Sequence, residues 1–135
     1  MFESSIEFLA ESIELKLGEQ AESFYDIHCS DPVDKNKEHE FPFVALHPSG
    51  LYLIALLNDS KQGSENTVNN IEYAGRIFKS YFYTKVPIRL IFVFYKDLYN
   101  NGQYAFDVFD YAKRKMVTGV FSSLEEVLDF LDNFT

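Results

Sequence analysis

The sequence predicts a single α+β domain over residues 1–135, a mixed central β-sheet flanked by helices in the order α-β-β-β-α-β-β-β-α. Three observations carry that prediction. Amphipathic helical periodicity occupies both ends of the chain, two runs in the middle (Leu51–Leu57 and Ile88–Tyr95) are apolar without alternation, and turn residues separate the apolar runs. Helices bury one stripe and sheets bury one or both faces, so a helix-covered sheet is the natural way to satisfy all three. With 47% hydrophobic and 17% aromatic residues, 135 residues suffice for one packed core.

The first helix is read from Ile6, Leu9, Ala10, Ile13, Leu17, Ala21 and Phe24, which recur at three- and four-residue spacing. Ser4 followed by Glu7 fits a capping box, and Gly18 is an interruption costing about 1 kcal/mol relative to Ala. A short strand is expected around Phe24–His28. Residues 30–40, SDPVDKNKEHE, read as a solvated loop. Phe41–Leu46 and Leu51–Leu57 then form a β-hairpin through His47-Pro48-Ser49-Gly50, because Pro fixes φ and Gly accepts positive φ. Leu51–Leu57 is apolar on both faces, which predicts a central strand covered on both sides.

Residues 58–64 read as a loop, and Ser64 or Asn66 caps a second helix with the stripe Ile71, Ala74, Phe78, Tyr81 and Phe82. Ile88–Tyr95 reads as a buried strand and Asn100-Asn101-Gly102 as a turn. Tyr104–Tyr111 and Met116–Phe121 read as two strands around the basic turn Lys113-Arg114-Lys115. The chain closes on a helix with Ser122 or Ser123 as cap and Leu124, Val127, Leu128 and Leu131 as its buried stripe.

Charge is unevenly distributed within the net −9: residues 1–40 carry −8, residues 41–121 carry +3 and residues 122–135 carry −4. Nucleic-acid affinity rests on Lys and Arg neutralising phosphates, so this balance argues against nonspecific binding of DNA or RNA and suits a basic protein partner. Cys29 is the single cysteine, which excludes an internal disulfide and fits a reducing compartment. No apolar run approaches the roughly 20 residues of a membrane span, and the N-terminus is acidic where a leader needs bases, so a cytoplasmic location is expected.

Motifs with chemistry are few. No nucleophile elbow, Cys-x-x-Cys or Gly-rich phosphate loop is present. Cys29 neighbours His28, but consecutive strand residues face opposite ways. His28, His39 and His47 lack paired zinc spacing, and His47 is expected as an exposed turn residue. Asp26, Asp31, Asp34, Glu38 and Glu40 precede the hairpin and are the acids nearest to a divalent-cation pattern. Lys113, Arg114 and Lys115, near Tyr104 and Tyr111, are a small basic patch read as a polar hairpin tip.

The stretch EFPFVALHPSGLYLIALL (residues 40–57), the helix carrying NNIEYAGRIF and the strand VPIRLIFVF together resemble the nuclease-related domain, a branch of the PD-(D/E)xK, restriction-endonuclease-like fold. The family's order of helix, three strands, helix and strand matches the first 95 residues, and His47-Pro48-Ser49-Gly50-Leu51-Tyr52 fits its Pro-x-Gly-aromatic hairpin. The resemblance implies an acid leading the second strand and Glu-x-Lys on the third, two acids holding a metal that activates water. Those positions fall here on or near Pro42, on Ala55 and on Leu57. The implied object is a nuclease-like scaffold without nuclease chemistry, catalytic residues or cofactor.

Two functional expectations follow. The first is a non-catalytic domain that binds a basic protein through Glu7, Glu11 and Glu14 of the first helix and Glu125 and Asp129 of the last, as an immunity protein, antitoxin, inhibitor or chaperone does. The second is a nuclease with a displaced site, Asp59 and Lys61 with Glu40 as second acid, using Mg²⁺ or Mn²⁺. Self-association through a strand edge at Ala105–Tyr111 is a third possibility.

Overall fold

In the computed structural model, the structure describes residues 6–57, 64–94, 107–108, 110–112, 114, 118–121 and 124–134. Helix α1 (Ile6–Leu17) is followed by strands β1 (Glu22–Ser30), β2 (Glu38–His47) and β3 (Gly50–Leu57), helix α2 (Ser64–Tyr81), strands β4 (Ile88–Phe94) and β5 (Thr118–Phe121), and helix α3 (Leu124–Asp132). The strands form one five-stranded sheet in sequence order, β1-β2-β3-β4-β5. β2 runs antiparallel to β1 and β3, while β4 is parallel to both β3 and β5.

Two apolar layers sandwich the sheet. Leu51, Leu53 and Ala55 of β3 and Leu90 and Phe92 of β4 pack against Val68, Ala74 and Phe78 of α2. Tyr52 and Ile54 of β3 with Ile91 and Val93 of β4 pack on the other side, against Leu9, Ala10, Ile13 and Leu17 of α1 and Val127 and Leu131 of α3. β3 and β4 are therefore covered on both faces, which is why their sequences show no alternation. Among these, each fully buried Leu, Ile, Val or Phe side chain contributes roughly 1.5–3 kcal/mol. Among the described residues no helix is long and apolar enough to cross a membrane.

Three expectations are corrected. α1 stops at Leu17 because Gly18 adopts φ +80° and its N–H donates to Glu14 O at 2.9 Å, a left-handed helix end that glycine accommodates. Of the apolar spacing that continues past the break, Ala21 precedes β1 and Phe24 lies within it, a strand of nine residues. The described residues between 107 and 114 are helical, so the strand expected over Tyr104–Tyr111 is helix at Asp107, Val108, Asp110 and Tyr111, and Arg114 of the basic run is helical too; Tyr104, Lys113 and Lys115 lie outside the described residues. Val108 and Ala112, four apart and both buried on the α2 side, show the helical period that the aromatic-rich sequence hides. Tyr81 points outward, 54% exposed, rather than joining the α2 stripe, and its hydroxyl donates to Ser30 O at 3.2 Å.

The two-residue turn between β2 and β3 is Pro48-Ser49, closed by the His47–Gly50 pair. Ser49 N–H donates to His47 Nδ1 at 3.0 Å, and the Ser49 hydroxyl lies 2.7 Å from that nitrogen and 2.6 Å from the hydroxyl of the buried Tyr52. His47 thus organises the turn and is only partly exposed.

Candidate functional site

The ladder between β1 and β2 continues to Ser30–Glu38, but that between β2 and β3 ends at Phe43–Ile54. Beyond this pair the β1–β2 ribbon diverges from β3 and leaves a fork. A cleft of about 500 Å³ occupies it, lined by Asp26, His28 and Glu38–Pro42 of the ribbon, Ile54 and Ala55 of β3, and Asn70, Ile71 and Ala74 of α2.

A break in strand alternation builds the ribbon wall. Phe41 packs on the α2 side and Phe43 on the α1/α3 side, although residues two apart in a regular strand share a face. The same switch occurs on β1, where Tyr25 meets Phe43 edge-on at 5.3 Å while Ile27 packs on the α2 side. Between the flanking pairs Tyr25–Phe43 and Ile27–Phe41 lie Asp26, with φ +48°, and Pro42, which has no N–H for a ladder bond. One residue is skipped on each strand, so the register survives and the faces exchange.

The exchange sets the polar groups. Cys29 and His39, a cross-strand pair, lie on the α2 side. His39 is buried, packs edge-on against Tyr73 at 5.5 Å between centroids, and places Nε2 2.8 Å from Asp31 Oδ2. Asp31 is 4% exposed and also accepts the N–H groups of Val33 (2.8 Å) and Asp34 (2.9 Å). The Asp34 N–H first, then His39, Val33 and the Tyr73 hydroxyl, hold the Asp31 carboxyl well below the usual carboxylate range against the opposing cost of burial. The same carboxylate, accepting from Tyr73, pushes that phenol up. Asp31 is thereby committed to closing the loop before β2, and Asp34 accepts the Asn36 N–H at 3.0 Å.

Cys29 and His39 with Asp31 have the residue types of a nucleophilic triad, but burial and the charges of Asp31 and Glu38 push the Cys29 thiol up. A thiol so placed resists forming the reactive thiolate.

On the opposite side of the ribbon His28 Nδ1 lies 3.0 Å from Glu38 Oε1 and 3.4 Å from Glu40 Oε2. Both carboxylates stand at the cleft mouth, 63% and 73% exposed. Among the described residues no group of three or more His, Cys, Asp and Glu is placed to hold a metal ion.

Pro42 and Ala55, which the sequence aligned with nuclease acids, both line the fork, and Leu57 is paired with Phe94 along β4. Glu40 is at its mouth. Asp59 and Lys61 lie outside the described residues. Arg114, of the basic run, is helical and ion-paired with Asp110 at 3.3 Å. The strand edge expected at Ala105–Tyr111 for self-association is replaced over its described residues by helix; the sheet's edge strands are β1 and β5.

The helices that carry the expected partner-binding acids come together. α1 and α3 pack on the same side of the sheet and are joined by the Lys16–Asp132 ion pair. Glu7, Glu11, Glu125 and Asp129 are exposed and Glu14 is half-buried. The layer holds seven acids and the single base Lys16, whereas α2 holds two of each sign. Partial burial of Tyr25, its hydrogen bond to Glu14 and the charges of Glu14, Glu11 and Glu7 push the Tyr25 phenol up to about 12. Sequence reasoning missed the Asp31–His39–Tyr73 cluster, which is joined only by the face exchange. Comparison of the chain with protein-family models, with curated proteins and with solved structures finds no match, so its function is argued from these sites.

Proposed function

We propose that this chain is a non-catalytic domain that binds a basic protein partner, as an immunity protein, antitoxin, inhibitor or chaperone would, on a restriction-endonuclease-like scaffold. The observation that carries the reading is the segregation of charge: seven acids against one base on the α1/α3 layer, with α2 balanced on the other side of the sheet. A one-signed face steers an oppositely charged protein and disfavours phosphate backbones. Support for the scaffold comes from the strand order, with β2 alone antiparallel to the rest, and from the fork that opens beside Pro42 and Ala55. Proline and alanine supply no metal ligand at the positions where the resemblance calls for acids.

The test is affinity capture with the full chain at low and at physiological salt, beside a variant carrying Glu7→Lys, Glu11→Lys, Glu125→Lys and Asp129→Lys. A basic protein retained by the wild type, released as salt rises and not retained by the variant is the expected result. Equal capture by both chains would overturn the reading. Cleavage of DNA or RNA with Mg²⁺ or Mn²⁺, abolished by Asp59→Ala, would replace it with the nuclease alternative.

A further inference from the structure

β1 is an edge of the sheet. Among the described residues its only ladder is with β2, so no strand pairs with the N–H and C=O groups along its other side. None of its nine residues is buried, and it carries neither Lys nor Pro, the residues that ordinarily blunt an edge. The skip at Asp26 interrupts that edge and leaves Ile27–Ser30 as its last regular stretch. Beside this stretch a groove of about 370 Å³ opens between β1 and the end of α2, with half-buried Ile27, Cys29 and Phe82 and the exposed Tyr81 along it. The Tyr81 hydroxyl donates to Ser30 O at 3.2 Å, so a main-chain acceptor of β1 already takes a donor from outside the β1–β2 ladder. The two faces of the stretch differ: Ile27 and Cys29 pack toward α2, whereas His28 turns to Glu38 and Glu40 on the opposite side.

We propose that Ile27–Ser30 takes an extended segment of the basic partner as an added strand of the sheet. The proposal rests on the binding reading above and adds the way the partner is held. An edge of unpaired main-chain groups admits an extended chain, and pockets for alternate side chains give such pairing its specificity. Side chains of a strand alternate between faces, so the segment is defined residue by residue. Every second side chain is apolar and enters the groove beside Ile27, Cys29 and Phe82. Those between are long and basic, and they reach past His28 to Glu38 and Glu40 on β2. Charge selects this occupant over a second copy of β1, because that strand brings Glu22 and Asp26 with no Lys or Arg, in a chain of net charge −9.

The experiment titrates the full chain with an end-capped, fluorescent peptide of alternating valine and lysine, following anisotropy and amide hydrogen exchange. Two further peptides are N-methylated, one at every valine and the other at every lysine. Alternate amides of a strand point to the same edge, so only one of the two keeps the N–H groups that face β1. The expected result is a loss of about tenfold or more in affinity for one N-methylated peptide and not for the other, with slowed exchange at the amides of Ile27–Ser30. A peptide of the same composition with its valines and lysines in separate runs should bind more weakly than the alternating one. Ile27→Ser, which removes apolar surface from the groove, and Glu38→Gln with Glu40→Gln should each weaken binding severalfold, urea midpoints establishing that both variants are folded. Equal affinity of the two N-methylated peptides, or of the alternating and separated sequences, would reduce the contact to charge alone and overturn strand addition while leaving the binding reading standing. Slowed exchange at the same amides without peptide, growing with protein concentration, would assign the edge to a second copy and overturn the partner strand. Absence of binding by the alternating peptide would overturn strand addition, and the capture experiment on the α1 and α3 acids then decides the binding reading by itself.

Discussion

Asp26 lies opposite Pro42 at the one point where the β1–β2 ladder skips a residue on each strand, and there both strands exchange the faces of their side chains. Neither residue suits an ordinary strand interior. Proline has no donor, and Asp26 at φ +48° occupies the left-handed region that Asp tolerates better than most residues. Facing one another, they keep the strands in register while carrying Ile27, Cys29, His39 and Phe41 to the α2 side. Phe41 then meets Phe78 edge-on at 5.1 Å.

Asp26→Val tests this relationship. A β-branched residue strongly disfavours positive φ, so the variant is expected to lose about 1–2 kcal/mol, read as a lower urea midpoint at unchanged slope. Asp26→Gly accepts the same φ freely and is expected to stay within about 0.5 kcal/mol of the wild type. A Val variant as stable as the wild type would show that the strand can regularise and that the exchange is not enforced here.

The same exchange marks where sequence reading fails. Strand parity counted from Phe43 puts His39 on the α1/α3 side, away from Tyr73, so nothing in the spacing predicts that Asp31, His39 and Tyr73 meet. β3, β4 and the hairpin were legible because their signals are local: continuous apolar runs for two-faced burial, and Pro followed by Gly for the turn, although Gly50 pairs with His47 as the first residue of β3 and takes no positive φ. The end of α1 was not, because Leu17, Ala21 and Phe24 continue a helical spacing across the Gly18 break. The aromatics over Tyr104–Tyr111 suggested a strand, although at the described residues Val108 and Ala112 bury at helical spacing. Both acidic helices were legible as charge and periodicity; their meeting on one side of the sheet depends on topology alone.

Asp31 makes stability depend on acid pH. Its folded carboxyl titrates lower than in the unfolded chain, where the ordinary value is about 4. A depressed carboxylate contributes stability that is fully present above the unfolded value and is lost as pH falls through the folded one. Urea midpoints taken from neutral pH down to about 3 should therefore fall in the wild type. Asp31→Asn should be less stable at neutral pH, since its amide reproduces only part of the hydrogen bonding, and should fall less on acidification. An identical acid slope in both chains would remove Asp31 from the account.

Tyr25 works at the opposite end of the scale. Its pKa of about 12 reflects burial first and then Glu14, with Glu11 and Glu7 adding repulsion of the phenolate. Because the folded value is raised above the ordinary 10.0, its contribution is intact below about pH 10 and disappears as pH climbs toward 12. Ultraviolet titration of Glu14→Gln should move one tyrosine to lower pH, with Glu11→Gln moving it less. No movement with Glu14→Gln would show that the acidic row of α1 does not face Tyr25.

Gly50 and Arg89 are the tightest fit around the hairpin. A Cβ at Gly50 would stand 2.6 Å from Arg89 Cγ and 3.2 Å from Pro87 O. The carbonyl cannot retreat without weakening the 2.8 Å bond it accepts from Leu51 N–H, and Arg89 is held by donating to Ser49 O at 3.2 Å and by stacking 3.7 Å from the Phe134 ring centroid. Gly50→Ala should therefore cost about 1–3 kcal/mol, the range for overpacking a filled site. Arg89→Ala removes the Cγ and opens the space, at the loss of the stacking on Phe134. The double variant should then be less damaged than the two single losses added together, with a coupling of about 0.5 kcal/mol or more. Strict additivity would place the strain of Gly50→Ala at the Pro87 carbonyl alone, and the arginine stem would have no part in closing the turn.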